Sequence, residues 1–159
     1  MSNFNAGAAI KAGLIAGLVF MMLEMLLVAT IGGGSPWAPP RMIGAMALGE
    51  GVLPPPAPFD LTVFMVAMLI HFILAIVLGL LFAAIAEAVR LSRPAAAIVG
   101  LLFGLAVYVV NFYGMTAIFP WFAMARNGIS IFAHLMFGLV LGYTYRALAP
   151  LVVVRHEDR

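Results

Sequence analysis

The sequence predicts an all-α integral membrane protein, a bundle of four transmembrane helices arranged as two repeated helical hairpins with pseudo-twofold symmetry. Of its 159 residues, 65% are hydrophobic and 9% are charged, whereas a soluble domain is about 45–50% apolar and about 25% charged. About 20 consecutive apolar residues suffice to cross a bilayer as a helix. We therefore expect residues 1–159 to form one membrane domain in contact with the lipid bilayer. Its predicted spans are about 8–31, 61–87, 95–117 and 129–149.

Composition also excludes several kinds of site. The chain has no cysteine, which excludes disulfides, thiolate metal ligands, cysteine nucleophiles and the attachment of a c-type haem. The net charge of +2 is small and the positive residues form no patch, so nucleic acid is not an expected partner. No nucleophile motif, phosphate-binding loop or paired carboxylate site is present, which makes an enzyme the less favoured interpretation.

The first span combines a packing face with one ionisable residue. Ala9, Gly13 and Gly17 recur every four residues, which predicts a face of small residues that another helix approaches closely. Glu24 lies well inside the apolar run. The span is expected to end at the three glycines 32–34, because glycine is unfavourable in a helix.

The outer loop 32–60 is rich in proline and glycine. Its residues 42–48 are mostly apolar and predict a short helix at the membrane surface. Trp37 is an expected interfacial anchor, because tryptophan prefers the boundary between membrane and water. Asp60 is the expected N-cap of the second span.

The second and fourth spans each carry a histidine followed by small residues four and eight positions later. At 3.6 residues per turn, these positions lie along one face of a helix. Each histidine therefore heads a stripe of small residues that is expected to meet another helix or a ligand closely. The two stripes are His71/Ala75/Gly79 and His134/Gly138/Gly142.

The third span repeats features of the first. It carries Gly100 and Gly104, and then Asn111 deep in the apolar run. The short turn 91–94 joins it to the second span, so these two spans are expected to be antiparallel neighbours. The next turn contains Trp121, a second expected interfacial anchor.

An internal repeat relates the two halves of the chain. In each half a pair of glycines, a polar residue, a Pro-Trp pair, an arginine and a histidine stripe follow one another in the same order. This order predicts two parallel hairpins related by an axis along the membrane normal. The axis is expected to bring four polar residues to one site in the outer half of the bundle: Glu24, His71, Asn111 and His134.

The positive residues predict how the spans are oriented. Six of the eight lysine and arginine residues lie on the side that holds both termini and the turn 91–94. Because cytoplasmic loops are enriched in these residues, we expect both termini, with a solvated tail at 150–159, on the cytoplasmic side of a bacterial inner membrane. Arg41 and Arg126 lie in the outer connections on the opposite side.

The ionisable residues at membrane depth are the candidate functional residues. Such a residue costs roughly 2.5–3.5 kcal/mol on insertion scales and usually faces the interior of the bundle. Glu24, His71 and His134 are therefore candidate ligands of a transition metal or a b-type haem. As axial ligands, the two histidines would hold a haem whose propionates pair with Arg41 and Arg126 at the outer mouth.

Other interpretations of the same residues stay open. In a metal site of two histidines and one carboxylate, outer hydrogen-bond partners would be Asn111, Tyr108 and Tyr113. A small proton-linked carrier would use the carboxyl and the histidines as a proton relay or a substrate site. As an accessory subunit of a larger membrane complex, the chain would use them only to fix helix packing. In a homo-oligomer, the small-residue faces would serve contacts between chains as well as within one chain.

Five short segments of the chain form a distinctive set: SPWAPPRM at 35–42, VLPPP at 52–56, VNFYG at 110–114, FPWF at 119–122 and IFAHL at 131–135. Through these segments the chain resembles a group of small, four-span bacterial membrane proteins of unassigned function, some of which are labelled "sodium:proline symporter". The resemblance covers about residues 8–149 and implies an inner-membrane location. It implies no chemistry, because true sodium:solute symporters are several times longer and have broken helices around the ion site.

Overall fold

The computed structural model describes residues 4–151 and is helical, with no strand in that range. Four helices are long and apolar enough to cross a membrane, which confirms the predicted all-α membrane fold. The tail residues 152–159 lie outside the described part. The α-helices are α1 (Ala6–Thr30), α2 (Ala38–Leu48), α3 (Leu61–Ala88), α4 (Arg93–Val109) and α5 (Gly128–Leu148).

The third span is not a uniform α-helix. After Val109 it continues as a π-helical segment, Val110–Gly114, and then as a 3-10 turn, Met115–Ala117. A π-helical turn widens the helix locally and is frequent at functional sites. Asn111 lies in this segment, so the change of helix type affects the direction of a predicted site residue. The sequence contains no proline or glycine pair there that would have indicated it.

Each of the four long helices begins at a polar side chain that caps a free backbone N–H. Asp60 accepts a hydrogen bond from the amide of Val63 at 3.0 Å, as the sequence predicts. Asn5 caps α1 through the amide of Ala8 at 2.9 Å. Such caps typically contribute about 1 kcal/mol each. Local sequence therefore determines where the spans start.

The helices pack in the order α3, α1, α5, α4. We call the end that carries α2 the loop end, and the end that carries the connection between α3 and α4 the turn end. Although α3 and α4 are consecutive and antiparallel, they meet at few points. One is the contact of Phe82 with Phe103 near the turn end, where the ring centroids are 5.4 Å apart. The bundle is consequently open between α3 and α4 towards the loop end.

Glycine faces make the closest helix contacts. A Cβ atom added to Gly138 would overlap the carbonyl oxygen of Gly100, and one added to Gly104 would overlap that of His134. In the other half, a Cβ atom on Gly13 would overlap the carbonyl oxygen of Ala75. The predicted small-residue faces therefore meet each other within each hairpin, and the backbones approach as closely as their atoms allow.

The contacts inside the two hairpins correspond to one another, but those between the hairpins do not. Ala9 lies against Gly79 in the first half, and Ala96 lies against Gly142 in the second. Between the halves, however, α1 packs extensively on α5, whereas α3 barely touches α4. The pseudo-twofold axis therefore stays a prediction.

The outer loop 32–60 is folded against the bundle. Its helix α2 packs on α3 and begins at Ala38, earlier than predicted, because Pro39 and Pro40 occupy the first turn, where a missing N–H is harmless. Trp121 connects the two outer connections, since its Nε1 donates to the carbonyl oxygen of Met42 at 2.9 Å.

A buried ion pair joins α3 to α5 at the turn end. One nitrogen of the Arg146 guanidinium donates to Glu87 Oε1 at 2.6 Å, and the Tyr145 hydroxyl donates to the same oxygen at 2.8 Å. A second guanidinium nitrogen donates to the carbonyl oxygen of Ala86 at 2.6 Å. This cluster holds α3 at its turn end, so α3 is fixed there while it stands apart from α4 at the loop end.

Candidate functional site

A cavity of about 1660 Å³ extends from the centre of the bundle to its open side and to the loop end. Its wall includes all four polar residues that the internal repeat was expected to bring together. Three of them are buried: Glu24 is 5% exposed, His71 8% and His134 3%. The fourth, Asn111, is half-buried. Residues from four different helices thus form one polar cluster at the inner wall of an otherwise apolar cavity.

His134 uses both of its ring nitrogens. Its Nδ1 lies 2.7 Å from the carbonyl oxygen of Ser130, and its Nε2 lies 3.3 Å from Asn111 Nδ2. A carbonyl oxygen only accepts, so Nδ1 carries the proton and Nε2 accepts from the amide. The π-helical segment places Asn111 for this bond. The role that the sequence predicts for this amide, as an outer partner in a metal site, stays a prediction.

His71 uses one of its ring nitrogens. Its Nε2–H donates to the carbonyl oxygen of Gly17 across the α1–α3 contact, at 2.9 Å. The proton is then on Nε2, and Nδ1 is an acceptor. No hydrogen-bond partner for Nδ1 is present among residues 4–151. This nitrogen can therefore accept a hydrogen bond from a molecule in the cavity.

Glu24 lies on α1 with its carboxyl beside the side chain of Ser130 on α5. Both residues line the cavity. Arg41 is the one cationic residue in the described cavity wall, and its guanidinium is bonded to carbonyl oxygens of the outer loop. The carboxyl of Glu24 is thus a polar group at membrane depth with a neutral hydroxyl as its neighbour.

Phe20 lies against both histidine rings. Its ring is stacked on His71 with centroids 5.6 Å apart, and it meets His134 edge-on at 4.7 Å. The two imidazoles therefore share an aromatic neighbour. Sequence reasoning missed Phe20, although it precedes Glu24 by four positions, the spacing that places two side chains on one face of a helix.

This arrangement does not fit a haem with two axial histidines. Such a haem needs one nitrogen of each imidazole directed at the same iron. Here Phe20 contacts both rings, and both nitrogens of His134 are hydrogen-bonded within the protein. Residues 4–151 also contain no group of three His, Asp, Glu or Cys side chains placed to hold a metal ion. The haem and metal interpretations receive no support from this geometry.

The cavity opens sideways, towards the region that lipid would occupy. On one side, Leu74, Val77 and Leu81 of α3 line it. On the other side, Ala106 of α4 and Val110 at the start of the π-helical segment do so. All five are exposed, although they lie within helices apolar enough to cross a membrane. The opening therefore lies between two helices at membrane depth, and its rim is apolar.

The arginines predicted for the outer mouth hold the protein's own loops. Arg41 donates from Nε and from one terminal nitrogen to the carbonyl oxygen of Pro58, at 3.1 and 2.9 Å, and from the other to that of Val52, at 2.6 Å. Arg126 donates from Nε to the carbonyl oxygen of Phe112 at 2.6 Å. Binding of haem propionates would compete with these bonds.

The remaining predicted residues lie at different distances from the cluster. Tyr108 packs its ring on His134, with centroids 5.6 Å apart. Tyr113 is exposed, and the Arg126 guanidinium lies over its ring at 4.4 Å from the centroid. Trp37 packs on Phe59 with the two rings tilted and their centroids 4.8 Å apart, so it stabilises the outer loop. Its role as an interfacial anchor, like that of Trp121, stays a prediction.

Ser130 is a second cavity residue that sequence reasoning missed. It follows the N-cap Asn127 by three positions, and its amide is held by the Asn127 side chain at 3.1 Å. A serine in the first turn of a helix is common and indicates no function by itself. Only its position opposite Glu24 makes it part of the cluster.

Comparison with known proteins places the chain in a family. No curated protein and no solved structure matches it, so neither a relative's activity nor a related fold adds to the geometry described above. One family model matches nearly the whole chain, from residue 4 to residue 153. The chain therefore belongs to a family of unknown function, DUF6789.

Proposed function

We propose that the protein binds a membrane-soluble small molecule, which enters sideways between α3 and α4 and places its polar end at the cluster around Glu24. The observation that carries this proposal is the cavity itself. It joins an apolar opening at membrane depth to a polar inner wall built from several helices. A molecule with a long apolar part and a small polar end matches both regions.

The apolar opening supports entry from the membrane. A gap between two spanning helices is reached by molecules dissolved in the lipid without their passing through water. Leu74 and Val77 on one side and Val110 on the other give the gap an apolar rim. At the loop end, α2 and the proline-rich residues 53–58 border the cavity, and the bonds of Arg41 hold these segments in place.

The size of the cavity supports a long ligand. Sites for drug-sized molecules typically have volumes of about 300–1,000 Å³, and this cavity has about 1660 Å³. The polar residues supply only a small part of its wall. We therefore propose a ligand most of whose surface is hydrocarbon.

The buried cluster supports a specific ligand over random filling by lipid tails. Polar groups at membrane depth are unfavourable when they lack hydrogen bonds. His71 Nδ1 has no partner within residues 4–151, and the carboxyl of Glu24 has one neutral neighbour, Ser130. A ligand with a polar end would satisfy these groups, whereas a hydrocarbon tail would leave them unsatisfied.

The setting of this function follows from the sequence. We propose that the protein lies in a bacterial inner membrane with both termini in the cytoplasm, because six of eight positive residues lie on that side. The open side would then face the lipid or a second subunit. A proton-linked carrier, a metal or haem protein and an accessory subunit stay predictions, and no contact described above favours them over ligand binding.

The test compares two tryptophan variants of α4. Ala106→Trp places a large ring at the rim of the cavity, whereas Leu102→Trp places it on an exposed part of the same helix that does not line the cavity. Each protein is reconstituted in nanodiscs, extracted into detergent and washed. The small molecules that stay bound are then measured by mass spectrometry.

We expect wild type and Leu102→Trp to retain a stoichiometric amount of one compound with a long apolar part and a polar end, and Ala106→Trp to lose it. Circular dichroism and size-exclusion chromatography check that both variants fold. Equal retention by all three proteins, or no specific retention by wild type, would overturn the proposal.

A further inference from the structure

The chemistry of the cluster restricts the ligand further. We infer that its polar end is a flat, neutral ring that bears carbonyl or hydroxyl oxygens, as in the membrane-soluble quinones and quinols. This inference rests on the proposed function, because it names the class of ligand that the same cavity takes. It follows from three observations: the available hydrogen-bonding groups, the absence of a free cation in the described wall, and the aromatic side chains around the cluster.

The available groups suit carbonyl and hydroxyl oxygens. After its bond to His134, the Asn111 amide retains one N–H and its carbonyl oxygen for a ligand. His71 Nδ1 accepts but does not donate, because its proton is on the nitrogen bonded to Gly17. The carboxyl of Glu24 donates or accepts according to its protonation. The cluster therefore offers donors to a carbonyl oxygen and acceptors to a hydroxyl group.

The charge of the wall disfavours a phosphate or carboxylate at the polar end. Lipid phosphates are usually held by arginine or lysine. In residues 4–151, Arg41 is the one cation that lines the cavity, and all three of its nitrogens donate to loop carbonyl oxygens. Glu24 would repel an anion whenever it is ionised. A neutral polar end avoids both problems.

Aromatic rings surround the cluster and favour a flat group. Phe20 contacts both histidines, and Phe112 lies edge-on to His134 with centroids 5.3 Å apart. Both phenylalanines line the cavity. Aromatic side chains pack against another ring in offset or edge-on arrangements that are favourable beyond simple burial. A planar ring can use these surfaces better than a flexible chain.

The experiment uses three probes with the same decyl tail. Decylubiquinone has a ring with carbonyl oxygens, decylbenzene has a ring without them, and decyl phosphate has an anionic end. Each is titrated into wild-type protein in nanodiscs of fixed lipid composition, and its partition into the same nanodiscs without protein is subtracted. We expect decylubiquinone to bind about 10- to 100-fold more tightly than decylbenzene, which corresponds to two or more hydrogen bonds.

Single substitutions test the binding of the ligand's polar end separately from the binding of its tail in the cavity. His71→Phe removes the Nδ1 acceptor and also the Nε2–H bond to Gly17, so its folding is checked by circular dichroism. It is expected to weaken decylubiquinone roughly 3- to 10-fold and to leave decylbenzene unchanged, because a ring stays in place. Glu24→Gln keeps a polar group and is a milder second variant. Tyr113→Phe is the matched control, since Tyr113 is exposed and outside the cavity wall.

The outcomes are distinguishable. Equal binding of decylubiquinone and decylbenzene, both weakened by Ala106→Trp, would overturn the assigned polar end while the proposed function stands. Tightest binding of decyl phosphate would also overturn it, in favour of an anionic lipid. No binding of any probe, with no effect of Ala106→Trp, would overturn both the inference and the proposed function.

Discussion

Replacing Glu87 by glutamine is expected to destabilise the protein by about 3 kcal/mol. The carboxylate accepts hydrogen bonds from Arg146 at 2.6 Å and from Tyr145 at 2.8 Å, and the side chains of Glu87 and Arg146 are 6% and 2% exposed. Removing one partner of a buried ion pair costs about 3–5 kcal/mol, because the other charge stays buried without compensation. The lower value applies here, since the amide oxygen of glutamine still accepts a hydrogen bond.

The assay is unfolding by denaturant in a fixed detergent, followed by circular dichroism. Glu50→Gln is the matched control, because Glu50 is exposed in the outer loop and the same substitution there is expected to change stability by less than about 0.5 kcal/mol. The double variant Glu87→Gln/Arg146→Met removes the uncompensated charge as well. We expect it to be more stable than Glu87→Gln alone.

Two results would refute this reasoning. If Glu87→Gln unfolds at the same denaturant concentration as Glu50→Gln, the ion pair does not stabilise the turn end. If the double variant is no more stable than Glu87→Gln, the loss does not come from the buried charge of Arg146. In either case, the contact between α3 and α5 at the turn end would have to depend on the apolar side chains around Phe82.

Two further predictions concern the glycine contacts and the outer loop. Gly138→Ala is expected to lower stability by about 1–3 kcal/mol by overpacking, because the new Cβ would overlap the Gly100 backbone. Gly128→Ala is the control and is expected to leave stability unchanged, since no atom lies within 4 Å of the added Cβ. Thermal unfolding of the two variants compares them. Arg41→Gln is expected to make residues 49–60 more mobile, since bonds to two loop carbonyl oxygens are lost. Limited proteolysis is expected to cut this loop faster in the variant than in wild type. Unchanged cleavage would contradict the role of Arg41 in holding the loop.

Helix number and helix position depend on local sequence. A run of about 20 apolar residues is stable in a membrane only when its backbone groups bond within a helix. The four apolar runs of the sequence therefore predict four such helices. The start of α3 at Asp60 also depends on local sequence, because an N-cap side chain bonds the amide three residues ahead of it. The small-residue faces were also predictable from the sequence, since the spacing of Gly100 and Gly104 places them on one side of a helix.

The polar residues of the cavity were predictable as individual candidates, whereas their position around one cavity comes from the tertiary structure, because the repeat axis stays a prediction. Glu24, His71 and His134 are conspicuous because charge is rare at membrane depth. Their chemistry was not predictable, because a ligand set depends on which nitrogen of each imidazole is free. That is decided by Gly17 and Ser130, whose backbone carbonyl groups carry no sequence signal.

Only the tertiary structure decided that the bundle is open between α3 and α4. The short turn 91–94 predicts that the two helices are antiparallel neighbours. They are antiparallel, yet they meet at few points and separate towards the loop end. Both faces of a membrane-spanning helix are apolar, one towards lipid and one towards protein, so periodicity does not distinguish them. The sequence by itself determined four spanning helices and their polar residues; the packing of α1 between α3 and α5 determined the cavity that those residues share.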